Sequence, residues 1–148
     1  MSIFPTRILL ATDGSREAQL AARTAADLAQ RTDSELHVAT VGAGLPISAT
    51  TSPARLEDVL REQRHQAEVV LEQQVKSIEG SGGAVKETHL REGRAEEEIV
   101  ELAEELGAGL IVMGSRGHGR LRRALLGSVS DAVVRHAHCP VTIVREVR

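Results

Sequence analysis

Short apolar runs alternate along this chain with segments whose apolar residues recur at helical spacing. That alternation is the strongest constraint on what it can fold into. Arg7 to Thr12, Glu35 to Val41, Ala84 to Leu90, Leu110 to Met113 and Val141 to Val144 read as strands, the third weakly patterned. After the first run, Ala18, Ala21, Ala22, Ala25 and Ala29 line one helical face, with Leu28 beside them. Such a face lets a helix sit close to a sheet. Asp13-Gly14-Ser15 reads as a turn that also offers a helix cap. Gly42 to Pro53, rich in Gly, Ser, Thr and Pro, reads as a loop. Ser52-Pro53 then resembles an N-cap followed by proline at the first helical position. The helix it opens carries a stripe of Leu56, Val59, Leu60, Ala67, Leu71, Val75 and Ile78, and Gly80 to Gly83 stops it. Ala95, Ile99, Leu102, Ala103 and Leu106 form another amphipathic helix, ended by Gly107, and Ser128 to His136 reads as the last.

Strands apolar on both faces need cover on both faces, so the pattern predicts a doubly wound α/β fold with a parallel sheet. The 148 residues suit a single domain, 1–148. Phe4 is the only aromatic residue, so the core is aliphatic and no platform exists for stacking nucleic-acid bases. A net charge of −3 attracts no polyanion, and nucleic acid is not an expected partner. The lone cysteine, Cys139, forms no internal disulfide and fits a reducing cytoplasm. No apolar run reaches the roughly 18 residues of a membrane span, and no signal-peptide core follows Met1, so a cytoplasmic location without membrane insertion is expected.

Ligands of doubly wound sheets sit beyond the carboxyl ends of the strands, where strand order reverses. Three stretches lie there: Thr12-Asp13-Gly14, Val41-Gly42, and the segment Gly114 to Ser130. Gly114, Gly117 and Gly127 permit close backbone approach to a ligand. Ser128 reads as the N-cap of the last helix, with Asp131 completing a capping box. A helix N-terminus offers unpaired N–H groups and partial positive charge, and the hydroxyls of Ser128 and Ser130 add donors. The pattern reads as a phosphate cradle. It is neither a Walker loop, since no GK[ST] occurs, nor a dinucleotide fingerprint, since Asp13-Gly14-Ser15 follows the first strand.

The spacing Gly114-x2-Gly117-x9-Gly127-Ser128 resembles the G-2x-G-9x-G-[S/T] signature of the ATP-binding branch of the universal stress protein family. ILLATDGS, VMGSRGHG and LLGSVSDAVVRHAHCPV extend the resemblance over nearly the whole chain. It implies five parallel strands in order 3-2-1-4-5, so that the ends of the first and fourth strands flank one crevice. It implies that Ala11, Thr12 and Asp13 line a nucleoside, with Asp13 meeting ribose hydroxyls or, indirectly, a phosphate-bound Mg²⁺ ion. Val41 would meet the adenine edge, and Met113 and Gly114 would pack beside the ribose. Arg116, Gly117, Gly127, Ser128, Val129 and Ser130 would hold phosphates, mostly through backbone N–H groups, with His118 and Gly119 in the same loop. The implied ligand is ATP, with AMP, ADP and cyclic nucleotides left open. The implied assembly is a homodimer paired through Val141 to Val144, with a tetramer left open, acting on an unknown regulatory partner in the stress response. Gly42 to Pro53 is a candidate lid. Gly109, where the family often has Asp, falls at the far end of its strand from the site.

Other groups read more plainly. Arg120, Arg122 and Arg123 fall in the nine-residue spacer as solvated charges. His136, His138 and Cys139 crowd a helix end without a fourth ligand, which favours packing over a zinc site. Glu96 to Glu98 suit the first turn of their helix. No nucleophile stands with a base and an orienting group, so a binding protein is expected rather than an enzyme. The alternatives are a slow Mg²⁺-dependent ATPase using Asp13 and His118, or a dimeric scaffold that holds no nucleotide.

Overall fold

The computed structural model describes residues 2–43, 52–115 and 127–146. Strands and helices alternate in the order β1 (Arg7–Ala11), α1 (Arg16–Thr32), β2 (Glu35–Gly42), α2 (Pro53–Gly80) and β3 (Glu87–Glu92). They continue as α3 (Ala95–Leu106), β4 (Leu110–Gly114), α4 (Ser128–His136) and β5 (Val141–Val144). The strands form one sheet in the order β3-β2-β1-β4-β5, with every neighbouring pair parallel. This is the expected doubly wound arrangement, with strand order reversing between β1 and β4.

Successive side chains along a strand point to opposite faces, which divides the core in two. Ile8, Leu10, Leu36, Val38, Leu110 and Val112 pack against the alanines of α1 and Ile78 of α2. Leu9, Ala11, Ala39, Ile111 and Met113 pack against Ile99, Leu102 and Ala103 of α3 and Val133 of α4. All five alanines read as the inner face of α1 are buried. Ser15 caps that helix, its Oγ accepting from the Ala18 N–H at 3.2 Å, and Asp33 ends it in the left-handed region at φ 55°. Gly107 ends α3 the same way, at φ 64°.

Two expectations need correction. The third strand runs over Glu87–Glu92 rather than Ala84 to Leu90. It is an edge strand, partly exposed on both faces, so it carries no apolar alternation to set its bounds. Its first tie to the sheet is the Lys86 N–H donated to the Leu36 carbonyl at 2.8 Å. The stripe expected along α2 is buried only at Ala67 and Ile78, joined by Gln74, while Val59 is exposed. Ser52 occupies the N-cap position of α2 but makes no side-chain cap bond; Pro53 opens the helix.

Gly109 marks a close contact at the end of β4 far from the order reversal. A Cβ there would stand 3.0 Å from the Thr6 Cβ and closer still to its Oγ1. Its N–H donates to the Arg7 carbonyl at 3.0 Å, so the backbone has little freedom to retreat. Gly109→Ala is expected to lower stability by about 1–3 kcal/mol, read from urea unfolding, and adding Thr6→Ala is expected to recover part of that loss.

Candidate functional site

A cavity of ≈ 270 Å³ opens where the carboxyl ends of β1 and β4 diverge. Small and aliphatic residues make its walls: Ala39 and Val41 of β2, Ala95 and Ile99 of α3, and Met113 of β4. Polar groups gather from the turn after β1 and from the start of α4. Of the residues read from the sequence as a nucleotide site, Ala11, Thr12, Asp13, Val41, Met113, Gly114, Gly127, Ser128, Val129 and Ser130 all line this one cavity. Arg116, Gly117, His118 and Gly119 lie outside the described residues, as do the three spacer arginines and most of the candidate lid.

The turn after β1 is held by its own hydrogen bonds. The Thr12 N–H continues the ladder to the Ala39 carbonyl at 2.9 Å. The Thr12 hydroxyl donates to Gln74 Oε1 of α2 at 2.7 Å and accepts from the Gly14 N–H at 3.2 Å. Thr40 Oγ1 donates to the Thr12 carbonyl at 2.7 Å. Asp13 does not cap α1. Its Oδ1 accepts from the Ser15 N–H at 2.9 Å, folding an Asx turn that leaves the carboxylate at the exposed rim.

The start of α4 differs from the reading in two ways. Its N-cap is Gly127, and Ser128 is the first helical residue. Asp131 pairs with Arg135 at 3.0 Å instead of completing a capping box. The Ser130 hydroxyl is also already engaged, donating to the Ser115 carbonyl at 2.6 Å. Ser130 can therefore donate into the cavity only through its backbone N–H. The N–H groups of Ser128, Val129 and Ser130 precede the first intrahelical bond, from the Asp131 N–H to the Gly127 carbonyl at 2.9 Å. They sit at the positive end of the helix, where an anion is favoured.

A second set of contacts, absent from the sequence reading, locks the cavity's frame. The Glu17 carboxylate is buried in the first turn of α1 and accepts from Ser115 Oγ at 2.9 and 2.8 Å. It also accepts from the Glu146 N–H at 3.0 Å. Gly114 lies under this contact: a Cβ there would stand 2.9 Å from the Glu17 backbone carbon. The absence of a side chain at Gly114 thus lets α1 close on β4. Ala18, Ala39, Thr40, Ala95 and Ile99 also line the cavity without having been singled out. Their positions at strand and helix ends beside Thr12 and Val41 were the available signal.

At the end of α4, His138 Nε2 pairs with Glu104 at 3.1 Å. Cys139 packs against the second core, and burial pushes its thiol pKa up, so it stays protonated. Among the described residues, the side chains whose nitrogen and oxygen atoms come close enough together to hold a metal ion are instead His37, Glu87 and His89, within 4.8 Å of one another.

The sequence model of the universal stress protein family matches residues 5–145. The chain belongs to the universal stress protein family. It is 36% identical over 143 residues to a universal stress protein of Methanocaldococcus jannaschii, covering 95% of this chain and 82% of that one. It is similar to the solved structure of a Lactobacillus plantarum universal stress protein, with TM-score 0.83 and 28% identity over 97% of this chain and 100% of that one. A universal stress protein in complex with cAMP matches with TM-score 0.72 and 27% identity, covering 97% and 98%. One from Archaeoglobus fulgidus in complex with dAMP matches with TM-score 0.69 and 26% identity, covering 96% and 99%. Family membership accounts for the fold. The Glu17–Ser115 lock is a property of these residues in this chain.

Ser115→Ala would leave the buried Glu17 carboxylate short of a donor. It is expected to lower stability by about 1–3 kcal/mol, measured by urea unfolding.

Proposed function

We propose that the chain binds an adenine nucleotide in this cavity, ATP foremost, and acts as a homodimeric regulatory protein of the stress response rather than as a catalyst. The observation that carries the reading is the meeting, in one cavity, of an aliphatic slot and the N-terminus of α4. An adenine ring fits between Val41, Ile99 and Met113, and phosphates fit the N–H groups of Ser128, Val129 and Ser130. Similar structures hold cAMP and dAMP, which share an adenine base and a sugar-linked phosphate. Asp13 stands at the rim, where it would meet ribose hydroxyls or an Mg²⁺ ion carried by the phosphates. Binding without turnover is supported by the Thr12 and Ser130 hydroxyls, both of which donate to structural partners rather than into the cavity.

Dimer formation is proposed through β5. This strand closes one edge of the sheet and turns one row of backbone groups away from β4. Pairing with a second copy would satisfy that row.

Nucleotide released by heat-denaturing freshly purified protein, identified by mass spectrometry, is expected to be an adenine nucleotide. Added ATP is expected to raise the melting temperature, and Asp13→Ala to weaken binding about tenfold or more. No released nucleotide together with no thermal shift would favour the scaffold. Turnover of several per second in ATP and Mg²⁺, abolished by Asp13→Ala, would favour the ATPase.

Sedimentation is expected to give a dimer. Ile143→Pro removes an N–H on the outer side of β5 and is expected to give a folded monomer; a dimer that persists would place the interface elsewhere.

A further inference from the structure

Outside the cavity, the residues least explained by packing lie at the β2–β3 edge. His37 of β2 pairs across the sheet with Glu87 of β3, and His89 pairs with Ala39. Residues two apart on a strand share a face, so His37, Glu87 and His89 all project toward the α3 side. The site is buried in part: His37 is 4% exposed and the His89 side chain 13%, while the Glu87 side chain is 60% exposed. Burying two imidazoles costs desolvation that an aliphatic pair would avoid.

We propose that His37, His89 and Glu87 form a binding site for a borderline divalent cation of the Zn²⁺ type. His37 Nδ1 and His89 Nε2 stand 3.1 Å apart, and His89 Nε2 lies 3.5 Å from Glu87 Oε1. Zinc bonds of about 2.0–2.1 Å in a tetrahedron set ligand atoms about 3.3–3.4 Å apart. The measured separations fall on either side of that edge. Two imidazoles and one carboxylate are also the ligand types such an ion takes, with the fourth position left to water.

The hydrogen bonds around His37 fix which nitrogen faces the ion. Its Nε2 lies 3.3 Å from Glu35 Oε1. Glu35 is also paired with Arg7, so its carboxylate acts as the acceptor between the two. An ionised carboxylate only accepts, so the His37 proton sits on Nε2 and its Nδ1 lone pair faces His89. Carboxylate–imidazole–metal triads have this arrangement. Glu35 is a positioning residue, itself steadied by Arg7 Nε at 3.3 Å.

Without an ion, His89 Nε2–H donates to His37 Nδ1. The two rings, inclined by 23° with centroids 5.4 Å apart, lie nearly end to end. Binding requires His89 to carry its proton on Nδ1 and both rings to swing, so that the ion replaces one hydrogen bond. Of the cations nearby, the Arg91 guanidinium is engaged by Glu98 and Glu105 and that of Arg7 by Glu35, which offsets the charge each would oppose to the ion. His37 and Glu87 lie toward the start of β2 from Ala39, His89 lies level with it, and none of the three lines the proposed nucleotide cavity. The ion would fasten the edge strand β3 to β2.

Untagged full-length protein titrated with Zn²⁺ against a chromogenic chelator is expected to bind one equivalent with micromolar or tighter affinity. His89→Gln and Glu87→Gln are each expected to weaken it tenfold or more, and Glu35→Gln about 10–100-fold. His138→Gln is expected to leave it unchanged. Co²⁺ in place of Zn²⁺ is expected to give the intense visible bands of a four-coordinate site, lost in Glu87→Gln. Because the Glu87 side chain is mostly exposed, that variant keeps the test valid even where His89→Gln fails to fold. The proposal is overturned by the absence of saturable binding at one equivalent, by affinity indifferent to Glu87→Gln, or by a six-coordinate Co²⁺ spectrum. Adenine-nucleotide binding is read separately by the thermal shift with ATP, so either reading can fail alone.

Discussion

The approach of α1 to the ends of β1 and β4 is the contact on which the cavity depends. It is possible because the helix turns only alanines, Ala18, Ala21, Ala22 and Ala25, toward the sheet, and because β4 ends in Gly114 where Glu17 comes closest. Close packing then brings the buried Glu17 carboxylate within reach of Ser115 and the Glu146 N–H. A buried charge without those donors would be costly, so the contact is close to all-or-none. The turn after β1, the end of β4 and the chain beyond β5 are thereby fixed relative to one another. The polar side of the cavity is built on that fixed frame.

Much of this was legible in the sequence because period and composition carried it. The inner face of α1 was written in alanines at helical spacing, and the strand runs of β1, β2 and β4 were apolar because both faces are covered. What was misread lay where those signals fade. An edge strand such as β3 is half solvated, so ETHLRE gives no alternation from which to place its ends. At Gly127-Ser128 two good N-cap residues stand side by side. The choice between them is made by the Gly127 N–H donating to the Ser115 carbonyl at 2.7 Å, a contact that no local rule contains.

Contacts between residues distant in the chain were invisible for the same reason. Ser115 and Glu17 are separated by 98 positions, Thr12 and Gln74 by 62, and His37 and His89 by 52. Each is a polar pair created by the register of strands and the seating of helices. Periodicity located the cavity, because strand ends are where ligands gather in such folds. It could not tell which hydroxyls were already engaged, and that distinction shifts Ser130 from side-chain donor to backbone donor.

The Ser115 carbonyl accepts both the Gly127 N–H and the Ser130 hydroxyl, so the chain leaves the sheet and returns to it at one point. The two walls of the cavity are joined there directly, whatever lies between them in sequence. One doubly used carbonyl thus clamps the end of β4 to the start of α4, so the two walls it joins move as a single piece.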